Sequence, residues 1–340
     1  MNERKGIAIA GTMLADVVKM IDAYPEKGML AGISSMSRAV GGIVPNVAID
    51  LAVMDPDLPI YAYGTVGADD HGEFLRAQLA AHGINVQGVA VHPTAPTGFT
   101  DVMTIASTGE RTFFTMGGAN DFYAPGEEEA AALPVEILHI GYILLMEGLD
   151  QPDDAYGTRL ARYLDTVQKQ GIRTSIDAVS RVGDRFREKV VPALRYTDYA
   201  IMNEIEACGA IGLPARDADG KLILKNLEAA IDGMFALGVR CAVVIHCPEL
   251  GMMKKKGGSL VTLPSLKLPA GFIKGSVGAG DAFCAGCLYG LYQGYDEAHI
   301  LAFASAAAAC NLSAVDSVSG MRSKEEIEKL HQAYERVSLC

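Results

Sequence analysis

The sequence of 340 residues contains no tryptophan, no cysteine-rich framework and no long apolar run. Without tryptophan, no indole ring is available as a stacking platform for a base or a sugar. The seven cysteines are an odd number scattered along the chain, which is not the pattern of a disulfide framework. No apolar segment reaches the length that crosses a bilayer, and the first residues show no signal-peptide pattern. We therefore expect a cytoplasmic protein that has no contact with a membrane.

Positive charge is also scarce. The chain carries 29 Lys and Arg against 41 Asp and Glu, a formal net charge of -12. Nucleic acids are bound through clustered Lys and Arg, and the one short basic run is Lys254-Lys255-Lys256. The composition therefore argues against a nucleic-acid partner. Two nucleotide signatures are missing as well, because no glycine loop leads into Gly-Lys-Ser/Thr and no strand leads into G-x-G-x-x-G.

Strand-like and helix-like segments alternate along most of the chain. The apolar runs that we interpret as strands cover residues 6–11, 60–64, 137–142, 172–177, 199–202 and 240–246. Helices are expected from about Asn46, from 72 to 82, from after residue 142 to about Gln170, and through most of the chain beyond Asp281. This alternation predicts an α/β fold with a mainly parallel central sheet flanked by helices. Half of the residues are apolar, which is enough for a substantial core.

A β-hairpin signal interrupts this alternation. Two strand-like runs, 98–105 and 111–115, flank the turn 107–110 and have few helices nearby to bury both of their faces. We therefore predict a small β-sheet that projects from the main domain, formed by about 12–40 and 86–120. Such a sheet is expected to act as a lid, a dimer interface or both.

The most informative stretch is the glycine-rich loop 275–280, which leads into an apolar helix. Gly278 and Gly280 allow a ligand to approach the backbone closely, and the first amides of a helix bind anions. Asp281 adds a proton acceptor beside this anion site, which indicates phosphoryl transfer. We expect the helix N-terminus to lower the pKa of Asp281. In the alternative interpretation, the loop is only a tight turn and Asp281 only a helix cap.

Other polar residues follow predicted strands, where ligands bind in open α/β sheets. They are Asp16, Asp177, Asn203, Glu206 and His246. The turn Gly41-Gly42 precedes Asn46, which fits either a helix N-cap or a hydrogen-bonding partner of a polyol. Cys284 and Cys287 have CxxC spacing inside a predicted helix, where small buried packing residues are favoured over a metal or redox role.

The order and spacing of four of these motifs resemble the ribokinase-like (PfkB-type) family of carbohydrate kinases. The motifs are Asp16, Gly41-Gly42 with Asn46, Asn203 with Glu206, and Gly278-Ala279-Gly280-Asp281. The resemblance extends from about Gly11 to Gly320. It implies a ribokinase-like three-layer sandwich with a small β-sheet lid, as one kinase domain over residues 1–340.

The resemblance also implies roles for individual residues. Asp281 would be the catalytic base, and the amides of Val277, Gly278, Ala279 and Gly280 would form the anion hole. ATP and Mg²⁺ are the implied cofactors, with Asn203 and Glu206 helping to hold the metal against the nucleotide. The implied sugar-side residues are Asp16, Gly41, Gly42 and Asn46, with weaker matches at Glu147 and Arg181. Further nucleotide-side candidates are His246, which fits a packed histidine as well, Gly251, and Ala308 in an alanine-rich helix.

Some details stay open at this point. The family often has Asp at the position of Gly275, where it orders the loop and in some members binds a monovalent cation, so potassium activation is undecided. The leading interpretation is an ATP-dependent kinase of a small sugar. A nucleoside kinase on the same scaffold is the first alternative, with Phe99, Phe113 and Phe114 as stacking candidates. A sugar- or nucleotide-binding regulator without catalysis is the second. We expect a homodimer that forms through the lid.

Overall fold

A computed structural model describes residues 4–179 and 185–338 of the chain, so that Arg181 lies outside the described residues. The strands, in chain order, are β1 Ile7–Gly11, β2 Leu14–Ile21, β3 Ile33–Gly41, β4 Ile60–Gly67, β5 Asn85–His92, β6 Phe99–Ile105, β7 Arg111–Met116, β8 Ile137–Ile143, β9 Pro152–Asp153, β10 Gly157–Thr158, β11 Arg173–Ala178, β12 Tyr199–Asn203, β13 Ala242–His246, β14 Leu250–Lys255 and β15 Val261–Pro264.

Helices follow most of the strands of the main sheet. They are α1 Ile43–Met54, α2 Asp70–Ala81, α3 Glu127–Ala132, α4 Glu147–Asp150, α5 Arg159–Lys169, α6 Arg185–Leu194, α7 Glu204–Ile211, α8 Leu224–Leu237, α9 Ala279–Gln293, α10 Glu297–Leu312 and α11 Lys324–Ala333. In the part of the chain that the structure describes, no helix combines the length and the apolar character that a bilayer span requires.

The central sheet has nine strands in the order β15-β14-β13-β12-β11-β8-β1-β4-β5. Pairing is parallel from β13 across to β5, whereas β13 pairs with β14, and β14 with β15, in antiparallel fashion. β1 is an interior strand between β8 and β4, and both of its faces are covered. Ile7 and Ile9 pack into the apolar cluster on one side of the sheet, and Ala8 and Ala10 into the cluster on the other. The predicted helix-flanked, mainly parallel sheet is confirmed.

A separate four-stranded sheet has the order β3-β2-β6-β7. β6 and β7 form the predicted hairpin, and β2 pairs with β3 and with β6. The structure corrects one boundary, because residues 86–92, which the sequence assigned to this small sheet, form β5 at the edge of the central sheet. Apolar side chains remain exposed on the outer strands, among them Met36, Phe113 and Phe114.

The sequence predicted one helix from after residue 142 to about Gln170, and the first half of this prediction is wrong. The chain forms the short helix α4, then the β9-β10 hairpin, and only then α5. Asp153 explains the break, since its carboxylate accepts hydrogen bonds from the amides of Ala155 and Tyr156 and holds a turn there. The Thr158 side chain then caps α5 by accepting from the amide of Ala161.

Helices α9 and α10 pack closely against each other. A Cβ atom on Gly286 of α9 would lie 2.7 Å from Cα of Ala304 in α10. This contact places α9, and with it the loop before α9, firmly against the core.

Candidate active site

The glycine-rich loop ends at α9 in the way its sequence predicts. Gly278 is the N-cap residue with φ 79°, and a Cβ there would lie 2.7 Å from Ser317, so both the conformation and the space require glycine. The hydrogen bond from Ala282 N to Gly278 O begins the helix. The amides that precede Ala282 N belong to the first turn of the helix. Amides at this position have no backbone carbonyl within the helix to which they can donate. The loop therefore leads into a helix N-terminus, the kind of backbone arrangement to which anions bind.

Asp281 is held by side chains from two distant elements. Asn46 Nδ2 donates to Asp281 Oδ2 at 2.7 Å, and the Tyr142 hydroxyl donates to Oδ2 at 2.9 Å and to Oδ1 at 3.1 Å. Ser317 Oγ in turn donates to Asn46 Oδ1 at 2.9 Å, which fixes the orientation of the amide. Gly278, not Asp281, is the N-cap residue of α9, and the hydrogen bonds of the Asp281 carboxylate among the described residues go to Asn46 and Tyr142. The alternative in which Asp281 is only a helix cap is therefore wrong.

Two expectations about these residues need correction. Asn46 is not an N-cap, because Gly42 occupies that position of α1 and Asn46 lies inside the first turn, buried. The pKa of Asp281 is not lowered. Burial raises it to about 6, although the hydrogen bonds from Asn46 and Tyr142 lower it in part. Desolvation of the carboxylate outweighs the favourable helix end because the side chain is almost fully enclosed.

Asp16 explains the first glycine of the Gly41-Gly42 pair. A Cβ on Gly41 would lie 2.5 Å from Asp16 Oδ1, so only glycine leaves room for that carboxylate. Gly42 has φ 82° and would collide with the Thr12 carbonyl if it carried a Cβ. Burial and then the charge of Asp281 raise the pKa of Asp16 to about 7, and Arg111 lowers it in part. Asp16 in the small sheet and Asp281 in α9 are thus close enough for the charge of one carboxylate to affect the other.

Tyr142 is a site residue that the sequence analysis missed. It lies near the end of β8 with φ 61°, a left-handed conformation that is rare outside glycine. Its amide donates to Asp177 Oδ1 at 2.6 Å while its hydroxyl contacts Asp281. The available signal was its position, since it follows a buried strand core as Asp177 and Asn203 do.

Asp50 is a second unpredicted feature. It lies one turn beyond Asn46 in α1, it is fully buried, and its oxygens have no hydrogen-bond partner among the described residues. Burial, followed by the charges of Asp281 and Asp316, raises the pKa of Asp50 well above its usual range.

A cavity opens beside Asp281 at the carboxyl ends of the central strands. The residues around it are Tyr142, Asp177, Ala178, Val179, Asn203, Glu206, His246, Gly278, Gly280 and Asp281. Asp177, Asn203, Glu206 and His246 were expected to gather at one edge, and the structure brings them together here. Burial lowers the pKa of His246 to about 4, so the imidazole is neutral, and it packs on Phe283 with ring centroids 4.9 Å apart.

Asn203 and Glu206 are tied to each other across the start of α7. Asn203 caps the helix by accepting from the amides of Ile205 and Glu206. Glu206 accepts from the Asn203 amide nitrogen and from Asn203 Nδ2, the latter at 2.6 Å. This capping box fixes both side chains at the cavity wall.

Several other predicted site residues are not among those that surround the cavity. Glu147 begins α4, is exposed and lies near Gln151, and Phe99 in β6 stacks on His71. Gly251 faces Leu301 and Phe283 in the core, whereas Val277 and Ala308 are partly buried in the loop before α9 and in α10.

Gly275 departs from the family pattern for a visible reason. A Cβ there would lie 2.8 Å from the Ala314 carbonyl and 3.1 Å from Val315 Cα. The backbone at 314–315 thus fills the space that an Asp side chain would enter.

Comparisons with known proteins agree with this architecture. Residues 5–324 match the model of the pfkB family carbohydrate kinases. Ribokinase of Arabidopsis thaliana is 24% identical over 331 residues, 95% of this chain and 80% of that protein. ATP-dependent ribose-1-phosphate kinase of Halopiger xanaduensis is 27% identical over 302 residues, 88% of this chain and 89% of that protein.

Solved structures share the fold over almost the whole chain. The Arabidopsis thaliana ribokinase complexed with ribose and ATP has a TM-score of 0.78 at 21% identity and covers 97% of this chain and 99% of its own. A putative ribokinase II from E. coli in complex with ATP and Mg²⁺ has a TM-score of 0.74 at 18% identity, covering 97% and 99%. The predicted ribokinase-like fold is confirmed, and the chain belongs to the pfkB family of carbohydrate kinases.

Proposed function

We propose that this carbohydrate kinase transfers the γ-phosphoryl group of ATP to a hydroxyl group of a small sugar. The observation that carries the proposal is the buried Asp281 carboxylate, which borders the cavity. It lies in the first turn of α9, next to the helix N-terminus that we propose binds phosphate. A proton acceptor beside bound phosphate is the arrangement that phosphoryl transfer to an alcohol requires. The Arabidopsis thaliana ribokinase structure contains both ribose and ATP, which supports a site with one position for a sugar and one for the nucleotide.

In this proposal Asp281 accepts the proton of the attacking hydroxyl as its oxygen bonds to phosphorus. A carboxyl with a pKa of about 6 is largely ionised at neutral pH and is a better base than an ordinary aspartate. Asn46 and Tyr142 orient the carboxylate, and the amides of Gly278 to Gly280 stabilise charge on the transferring group. Asp16 and the backbone at Gly41-Gly42 bind the sugar hydroxyls.

The residues at the cavity fit a magnesium ion. A carboxylate and an amide oxygen are the hard donors that Mg²⁺ prefers, and Glu206 and Asn203 offer both at the cavity wall. Because they are hydrogen-bonded to each other, we expect them to hold the ion largely through its waters. Bound Mg²⁺ would neutralise charge on the nucleotide phosphates. His246 and Ala308 remain the proposed nucleotide contacts, and Gly251 supports the strand behind His246.

A coupled ADP-release assay tests the proposal with a panel of pentoses, hexoses, keto-sugar acids, sugar phosphates and nucleosides. We expect ADP release that depends on one class of sugar and on Mg²⁺. A nucleoside as the best acceptor would favour the alternative in which Phe99, Phe113 or Phe114 stacks on a base. ATP binding without ADP release for any acceptor would sink the kinase proposal and favour a binding regulator. Running the panel in potassium and in sodium settles the cation dependence.

We further propose that the small sheet acts as a lid and joins two copies of the chain. Met36 is 70% exposed, and Phe113 and Phe114 are 55% and 52% exposed on the same sheet. These side chains lie on β3 and β7, the two edge strands of the sheet, and apolar side chains exposed on sheet edges favour association with a second copy. Light scattering after size exclusion should give twice the monomer mass, and Phe113→Ser should shift it toward the monomer. A monomer at all concentrations would contradict the dimer.

A further inference from the structure

Three metal-ligating side chains converge directly beneath the candidate active site. They are His139 from β8, Asp177 from β11 and Cys284 from α9, and their nearest ligand atoms all lie within 4.8 Å of one another. His139 Nε2 lies 3.6 Å from Cys284 Sγ and 3.9 Å from Asp177 Oδ2. None of the three side chains is more than slightly exposed.

These separations suit a tetrahedral metal ion. With metal–ligand bonds of about 2.0 Å to nitrogen and oxygen and about 2.3 Å to sulfur, ligand atoms of a tetrahedral site are roughly 3.3 to 3.5 Å apart. The His139–Cys284 and His139–Asp177 separations exceed that range by a few tenths of an ångström, and the ligand atoms of Asp177 and Cys284 lie within 4.8 Å of each other. Small movements of the side chains therefore bring the three ligand atoms to tetrahedral spacing. One nitrogen, one oxygen and one sulfur ligand leave a fourth position for water.

The residues around this cluster also favour metal binding. His139 Nδ1 is hydrogen-bonded to Ser175 Oγ at 2.9 Å, which fixes the ring so that Nε2 points at the other two ligands. A thiolate and a carboxylate together balance the charge of a divalent cation, as a buried site requires. Asp177 borders the cavity, which provides a route of entry.

We propose that His139, Asp177 and Cys284 bind a thiophilic divalent cation, with Zn²⁺ as its representative. The site is chemically distinct from the proposed magnesium position, because thiolate and imidazole select Zn²⁺ and similar ions over Mg²⁺. It does not depend on which acceptor the enzyme phosphorylates.

An ion at this position would act on catalysis through two links. Cys284 lies one turn after Asp281 in α9, and the Asp177 carboxylate accepts the Tyr142 amide hydrogen while Tyr142 holds Asp281. Metal binding would shift Cys284 within the helix that carries Asp281 and would shift Asp177, which holds the amide of Tyr142. The cation is therefore an inhibitor that Mg²⁺ does not displace.

Cobalt substitution in the full-length protein tests the proposal. Wild type should bind one Co²⁺ with the intense thiolate-to-cobalt absorption band of a tetrahedral site, and stoichiometric Zn²⁺ should abolish the band. Cys287→Ser is the matched control, because Cys287 is buried in the same helix but lies outside the cluster, and it should keep the band. Cys284→Ser should lose it, and Ser175→Ala should weaken binding by roughly 10- to 100-fold.

Three results would overturn the site. They are a wild-type protein without the band, a Cys284→Ser variant that retains it, and X-ray absorption of the Zn²⁺-loaded wild type that shows no sulfur ligand or more than one. The last measurement needs no variant, so it decides the question even if Cys284→Ser fails to fold. A hydrogen-bonded histidine packed without any metal role gives the first of these results.

Discussion

The Tyr142 hydroxyl lies 2.9 Å and 3.1 Å from the two carboxylate oxygens of Asp281. A phenol that donates to a carboxylate stabilises its charged form, and in Asp281 this opposes the larger effect of burial. Tyr142 reaches this position because its backbone is left-handed and its amide is held by Asp177. We regard it as a positioning residue of the proposed base.

Tyr142→Phe should move the acidic limb of the kcat/KM profile to higher pH. The base works when ionised, so activity falls as the pH drops through the pKa of about 6, and loss of a donor that lowers this pKa shifts the fall upward. The quantity to compare is the apparent pKa of the acidic limb in the variant and in wild type. A comparison is needed because Asp16, with its pKa of about 7, titrates in the same range. Tyr289→Phe is the control, since its hydroxyl donates to Asp55. Superimposable profiles would show that Tyr142 does not tune Asp281.

Asp281→Asn should lower kcat by roughly 10²- to 10⁴-fold and leave nucleotide affinity nearly unchanged. The amide keeps the shape of the side chain but cannot accept the proton. A steady-state turnover assay measures kcat, and a titration with nucleotide measures the affinity. Asp154→Asn, an exposed aspartate, should behave like wild type. A variant with normal turnover would mean that another group is the base.

Gly41→Ala should raise the KM for the sugar by about tenfold or more while the KM for ATP stays constant. The new Cβ would lie 2.5 Å from Asp16 Oδ1, and crowding of this kind costs about 1–3 kcal/mol. Gly126→Ala serves as the control, because no atom lies within 4 Å of its Cβ position. An unchanged sugar KM would remove Asp16 from the proposed sugar site.

Gly286→Ala and Gly209→Ala should change stability in opposite directions, although both glycines lie inside helices. The Cβ at 286 would collide with Ala304 Cα at 2.7 Å, which we expect to cost about 1–3 kcal/mol. The Cβ at 209 would make an ordinary contact with Phe186 at 3.6 Å, so the gain in helix propensity of about 0.5–1 kcal/mol remains. Urea midpoints with unchanged slopes measure both. Equal effects would contradict the packing argument.

The central sheet was predictable because its strands are buried on both faces. β1 is apolar at every position, and such runs alternating with helices allow few other folds. Edge strand β5 was assigned to the wrong sheet, because a half-buried strand has the same alternating pattern in either sheet. Periodicity indicates a strand but does not say which neighbour it pairs with.

Site residues were predictable one at a time, whereas their contacts were not. Asp281 and Asn46 could be selected by their motifs, but the hydrogen bond between them follows from how α1 packs on α9. Tyr142 depends on an unusual backbone angle that its residue type gives no reason to expect. The raised pKa of Asp281 likewise follows from burial, which a local rule about helix ends does not include.

The three residues around Asp281 have a consequence for folding. Asn46 and Tyr142 lie 235 and 139 positions from Asp281 along the chain, and Ser317 lies 271 positions from Asn46. Contacts of such high contact order form late, after the entropy of closing long loops has been overcome. During synthesis the support of the base stays incomplete until Ser317 has been added. Catalytic competence should therefore be among the last properties that the folding chain acquires.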